Sequence, residues 1–361
     1  MEKQDGQIST TEEILNHPSY LGAIWKLEPH QSGLLPVAGG GTRPQKISWE
    51  VHGEGEINVL VSGYPFLVTE FINGTGSLKS MWQPQTLYFG HEHGDKYSVL
   101  LTDTRGMGDS DKRLVRSSTS EMAKDLLKVL EYLGWSGSRQ LHVVGLSLGG
   151  MIAQELACMV PDRISTLNLI STSAQLINTS MLSENMMGRI SMILPRSIDR
   201  IIVDTAGQNF TSSWLSAPDD VHLPAAATPK CMLPPNGAYG KFDTNFQRFS
   251  AQELVKRQDQ ERFGKAGLML QVVAVGFHRK TRAQLKEMAD RVGRERILVV
   301  HGTEDHVIPA PHGQKLIEYI EPSVGIMAEG LGHGLIGERW AWINGLLEER
   351  FAVGEKLGRR V

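Results

Sequence analysis

One segment concentrates the means for nucleophilic chemistry: Gly145-Leu146-Ser147-Leu148-Gly149, preceded by the apolar Val143-Val144 and followed by Gly150-Met151-Ile152. A Gly-x-Ser-x-Gly turn between a strand and a helix is the setting of a nucleophile elbow, where the backbone doubles back and holds a serine hydroxyl clear of the sheet. The flanking glycines remove side chains that would collide there. A dinucleotide does not suit this turn, because Ser147 stands where the second glycine of Gly-x-Gly-x-x-Gly must admit a pyrophosphate. The sequence also has no Gly-x-x-x-x-Gly-Lys-Ser/Thr segment to cradle a phosphate.

A serine hydroxyl is a weak nucleophile until a base takes its proton. Of the 12 histidines, His333 has the right setting. It lies in Gly330-Leu331-Gly332-His333-Gly334, after an apolar run over residues 324–327 and before a helix expected over residues 338–351. That places it on a loop at the C-terminal end of a strand, where α/β sites are built. The base needs a carboxylate to hold its tautomer and to stabilise the imidazolium. Asp305 meets this need: residues 296–300 read as a strand, Gly302 turns the chain and Asp305 follows. Glu304 is the weaker candidate and His306 reads as rim. His301, His306 and His312 are close in sequence, but no cysteine joins them and no metal site is implied.

Charge developing on a substrate oxygen calls for two backbone N–H donors. Leu148, directly after the serine, should supply one. The apolar run over residues 57–61 reads as a strand and leads into Ser62-Gly63-Tyr64-Pro65, so Tyr64 N–H is the expected second donor, since Pro65 has none to give. Residues 66–80 follow that strand and would line the entrance.

These loops need a sheet to carry them. Residues 47–51 alternate like a half-buried strand, residues 97–102, 140–144 and 164–170 are short apolar runs, and residues 121–133 place Met122, Leu126, Leu127, Val129, Leu130 and Leu133 on one helical face that Gly134 ends. Strands alternating with helices imply an α/β fold with a mostly parallel sheet flanked by helices. The pattern lapses between residues 175 and 278, where Pro195, Pro218, Pro224, Pro229, Pro234 and Pro235 punctuate helices and loops. We therefore expect an N-terminal extension over residues 1–45, a core over residues 46–174 and 279–361, and a helical cap over residues 175–278. Met181, Met186, Met187, Met192, Phe210 and Trp214 would pack inside that cap or form its wall.

Composition narrows the function. A net charge of −3 over 361 residues offers no basic field for nucleic acid. Two cysteines, Cys158 and Cys231, cannot build a disulfide framework. No stretch resembles a signal peptide or approaches the roughly 18 apolar residues of a spanning helix. The expectation is a cytoplasmic protein without stable membrane insertion, acting on a small acyl substrate without a cofactor.

In the order Ser147, Asp305, His333 the chain resembles the α/β-hydrolase superfamily, in its capped serine esterase and lipase-like branch that includes uncharacterised fungal-type members. Asp103-Thr104-Arg105-Gly106-Met107-Gly108-Asp109-Ser110-Asp111 resembles that family's Asp-x-Arg-Gly-x-Gly-x-Ser-Asp turn, which implies a structural role for Asp103 and Arg105. The family often has His-Gly where Ser62-Gly63 stands. Epoxide hydrolases and haloalkane dehalogenases of this fold use an aspartate nucleophile, which Ser147 argues against. The resemblance implies ester hydrolysis through an acyl-enzyme. Thioester, lactone or carbon–carbon cleavage, acyl transfer, and a slow-turnover ligand receptor are its alternatives.

Overall fold

The structure is a computed structural model and describes residues 9–37, 44–55, 68–72, 74–113, 117–176 and 196–358. Ten strands are described: β1 Lys26–Leu27, β2 Gln31–Val37, β3 Gln45–His52, β4 Val68–Ile72, β5 Ser98–Thr102, β6 Leu141–Leu146, β7 Ile164–Ile170, β8 Cys231–Met232, β9 Ile297–Gly302 and β10 Val324–Ala328. Eight form one sheet in the order β10-β9-β7-β6-β4-β5-β3-β2. The six from β10 to β5 run parallel, while β3 and β2 are antiparallel to their neighbours. This is the expected α/β architecture.

The period of two along each strand sends alternate side chains to opposite faces. Leu100, Val143, Leu167 and Val299 join one core with Met122, Leu126, Ile152 and Leu316 from covering helices. Val99, Val144, Ile170 and Leu298 join the other, with Trp82, Phe89 and Phe351. Helices on both faces are what a parallel sheet requires, since each crossover must be covered.

Three local features go beyond the sequence expectation. The first residues carry real structure: Gln31–Val37 forms the antiparallel edge strand on β3, and the helix Thr11–Leu15 packs Ile14 against Ile202, Phe242 and Leu254. The strand beside β6 is Val68–Ile72, with Ile72 opposite Gly145. Residues 57–61, read as a strand, lie outside the described residues. The expected helix over residues 338–351 is two helices, Leu335–Glu338 and Trp340–Gly358, because Arg339 takes a non-helical conformation with φ −135° and ψ 48°.

After β7 the chain leaves the sheet, and it returns through a bridge between Gln175 and Arg279 and a 2.8 Å bond from Lys280 N to Ala174 O. The described part of this insertion holds the helices Ile198–Asn209, Ser212–Ser216, Asn245–Gln258 and Lys265–Phe277. Its strand β8 pairs antiparallel with β1, so the N-terminal segment is stitched to the insertion as well as to the sheet. No helix among the described residues is long and apolar enough to cross a membrane.

Candidate active site

Ser147 stands between β6 and the helix Leu148–Met159, with φ 57° and ψ −119°. A non-glycine residue there is strained and persists only where its surroundings fix it. They do so here. Ser147 N donates to Ile170 O at 3.0 Å, and Thr172 Oγ1 donates to Ser147 O at 2.7 Å. Gly145 is obligatory, since a methyl group on it would stand 2.4 Å from Gly149 O. Leu148 opens the helix, so its N–H has no intrahelical acceptor and points with the positive end of the helix dipole.

The acid and the histidine come from the loops after β9 and β10, with β7 standing between β6 and β9. Three bonds tie their loops together: Thr303 N to Ala328 O at 3.0 Å, Glu304 N to Leu331 O at 2.9 Å, and Gly330 N to Thr303 Oγ1 at 2.9 Å. The result is a hydrogen bond of 2.7 Å from His333 Nδ1 to Asp305 Oδ2 between two buried side chains. Asp305 Oδ1 accepts from Val307 N at 2.9 Å and Ile308 N at 2.7 Å. His301 Nε2 donates to Ile308 O at 2.8 Å and lies 3.2 Å from Asp305 Oδ2. Burial pushes the Asp305 carboxyl up, but the hydrogen bonds from His301 and His333 outweigh it and hold the group at about 2. The carboxylate is therefore ionised throughout the neutral range, and it leaves His333 Nε2 as the proton acceptor. Glu304 and His306 are exposed.

Ser147, Asp305 and His333 thus share the C-terminal edge of the parallel strands β6, β9 and β10, and Asp305 and His333 are directly joined. The Ser147 hydroxyl makes no hydrogen bond among the described residues. Tyr64 lies outside the described residues, as do Met181, Met186, Met187 and Met192. The loop after β4 also reaches Ser147: a methyl group built on Gly74 would stand 3.5 Å from Ser147 Cβ. Glycines at 74 and 76 after an apolar run carry a signal for this loop in the sequence, which residues 57–61 and Gly63 compete with.

Sequence reasoning also misses how the insertion reaches this edge. Gln271, fully buried on the helix Lys265–Phe277, accepts from Gly76 N at 2.7 Å and donates to Thr104 Oγ1 at 2.7 Å, spanning the loops after β4 and β5. Phe210 and Trp214 stack with centroids 4.6 Å apart. The turn after β5 is structural as expected: Asp103 Oδ1 accepts from Lys79 N at 3.1 Å, Asp103 Oδ2 accepts from Asp109 N at 3.0 Å, and Arg105 pairs with Asp125. Among the described residues no group of three or more His, Cys, Asp or Glu side chains is arranged to hold a metal ion.

A 3-oxoadipate enol-lactonase 2 from Acinetobacter baylyi is 33% identical to this chain over 106 residues, which is 29% of this chain and 37% of that protein. The chain spans less than half the length of the curated relatives it matches. The crystal structure of a hydrolase from Pseudomonas aeruginosa superposes with a TM-score of 0.60 at 22% identity, covering 90% of this chain and 99% of that one. A thermophilic esterase from Thermogutta terrifontis superposes with a TM-score of 0.59 at 17% identity, again over 90% and 99%. At such identities the likeness is one of fold. The family model for the alpha/beta hydrolase fold matches residues 74–324, from the loop beside Ser147 to the start of β10. By that match and by its sheet, the chain belongs to the α/β-hydrolase family.

Proposed function

We propose that this hydrolase cleaves a carboxylic ester, or a related acyl bond, of a small organic molecule through an acyl-enzyme on Ser147. His333 takes the proton of the Ser147 hydroxyl while Oγ bonds to the acyl carbon, and Asp305 stabilises the imidazolium that forms. The tetrahedral oxyanion is held by Leu148 N–H and by a second N–H, that of Tyr64, with the described loop at Gly74, where an added methyl would stand 3.5 Å from Ser147 Cβ, as the alternative source. Collapse breaks the bond to the alcohol, which leaves with the proton from His333. Water then repeats the sequence, and the products are one acid and one alcohol. The segment over residues 175–278 acts as a cap, with Phe210 and Trp214 in its wall.

The observation that carries this reading is the 2.7 Å bond from His333 to Asp305 at the sheet edge where Ser147 occupies a strained elbow. A lactone is an ester closed on itself and needs no different machinery. The enol-lactonase among the relatives makes that substrate class the second choice. The test is a fluorophosphonate probe with p-nitrophenyl esters of increasing acyl length. We expect labelling at Ser147, its loss in Ser147→Ala, and many product equivalents per protein. A folded wild-type chain that resists the probe, or that releases a single slow equivalent as a receptor would, overturns the proposal.

A further inference from the structure

His333 has a neighbour on each side that is fastened to the insertion. Gly334 N donates to Asn209 O at 2.7 Å, where Asn209 ends the helix Ile198–Asn209 and its carbonyl has no partner within that helix. On the other side, Gly332 N donates to Glu338 Oε2 at 3.2 Å, and the same carboxylate accepts Thr211 N through Oε1 at 2.6 Å. Glu338 is 5% exposed and forms no ion pair with a cationic side chain among the described residues. Burial raises its pKa above the usual carboxylate value, and the N–H donors of Thr211 and Gly332 together with the Thr211 hydroxyl offset only part of that rise. A carboxylate buried without a cation is costly unless its oxygens are hydrogen-bonded, and here one N–H comes from each of two separate parts of the chain. Between these two clamps the Phe210 ring presses on the loop so closely that a methyl group on Gly334 would stand 2.3 Å from Phe210 Cε1.

We infer that Glu338 is a positioning residue for catalysis, clamping the His333 loop to residues 209–211 so that the insertion, and not the sheet alone, sets where the general base stands. The inference rests on the serine-hydrolase reading above. Asp305 controls the tautomer and tilt of the imidazole, while the main chain that carries it is held at residues 332 and 334. A carboxylate suits this place because two N–H donors converge on it. An amide in its position offers one acceptor oxygen and turns an NH₂ toward the other donor.

The test uses the full chain and two independent cuts. Glu338→Gln keeps shape and removes one acceptor. Thr211→Pro removes the N–H on the insertion side, and the backbone allows it, with φ −72° at Thr211 and extended φ −132°, ψ 154° at Phe210 before it. Thr211 also caps the next helix through its hydroxyl, so Thr211→Ala is the reference from which the loss of the N–H is measured. The readouts are kcat and KM for p-nitrophenyl acetate, the fluorophosphonate labelling rate at Ser147, and thermal melting. We expect Glu338→Gln to lower kcat and labelling together by about 10- to 100-fold with little change in KM. The step from Thr211→Ala to Thr211→Pro should cost a similar factor. The double variant should be about as slow as the slower single one, because both cut the same clamp. Cooperatively melting Glu338→Gln and Thr211→Pro proteins with wild-type kcat, whatever their Tm, overturn the inference while leaving the serine reading intact. A wild-type chain that does not label at Ser147 brings down the reading beneath it.

Discussion

Thr172 Oγ1 donates a 2.7 Å hydrogen bond to the carbonyl oxygen of Ser147, from the strand end beside the elbow. The same carbonyl accepts Met151 N at 3.2 Å, so the peptide that follows the serine is held from the helix and from the sheet. Thr172→Val replaces the hydroxyl with a methyl group of similar size and frees that peptide on one side. A neutral hydrogen bond contributes about 1 kcal/mol. We expect fluorophosphonate labelling of Ser147 to slow by roughly fivefold, with recovery in Thr172→Ser. Equal labelling rates for the valine and wild-type proteins would show that the elbow does not depend on this bond.

Asp305→Asn keeps the shape of the acid but loses its charge and can present its amide to His333. The general base would then be held in the wrong tautomer, and kcat should fall on the order of 10⁴-fold. The acid limb of the wild-type pH profile should not belong to Asp305, whose carboxyl sits at about 2. Its share of stability is present above the unfolded value of 3.8 and disappears as pH falls through about 2. Esterase activity measured from pH 4 to pH 9 in both proteins checks these points, and an asparagine variant within tenfold of wild type would remove Asp305 from the mechanism.

Trp214 stacks on Phe210 in the insertion, and Phe249 meets Phe210 edge-on with centroids 5.1 Å apart. Trp214→Ala opens this cluster without touching Ser147, Asp305 or His333. We expect kcat for a two-carbon acyl ester to hold within about threefold while KM for long acyl esters rises roughly tenfold, the loss of about 1.4 kcal/mol of apolar contact. If short and long esters suffer alike, Trp214 does not line the acyl site.

His278 is buried, its Nδ1 shares a 2.9 Å hydrogen bond with Thr119 Oγ1, and burial together with the nearby Lys280 charge pulls its pKa down to about 3. The unfolded chain takes up this proton near 6.5 and the folded chain does not, so the unfolded state binds more protons between those values. Stability should therefore fall as pH drops from about 6.5 to about 3 and change no further through this group below that, with ~5 kcal/mol as its upper bound. Urea midpoints at pH 7, 5 and 4 should fall more steeply for wild type than for His278→Gln. Parallel slopes would place the acid sensitivity elsewhere.

The parallel sheet is legible in the sequence because Val143-Val144 and Val299-Val300 sit in short apolar runs that Gly145 and Gly302 end, and because both faces of such strands are covered. The acid and histidine loops are legible for the same reason: each follows a run of this type. The edge strand β2 hides behind Gly33 and Pro36, which read as breakers, yet an edge strand tolerates a residue without an N–H. Residues 57–61 and 68–72 have similar apolar character, and the place of 68–72 beside β6, with Ile72 opposite Gly145, is carried by no local pattern. Glu338 looks like an ordinary acidic residue near a helix start. Its partner Thr211 is 127 residues away, a separation at which no local pattern carries information.

The bridge between Gln175 and Arg279 brings the two ends of the insertion together at one point beyond the end of β7. Chain can be added or lost between such ends at a cost that grows only with the logarithm of its length. Such a lobe can therefore be exchanged as a cassette while the strands stay as they are. The exchange has one condition. A transplanted lobe must still offer a carbonyl and an N–H where Asn209 and Thr211 do, or the new enzyme inherits the nucleophile with a loosely held base. Recombination within the family should therefore carry residues near 209–211 and 332–338 as a linked set.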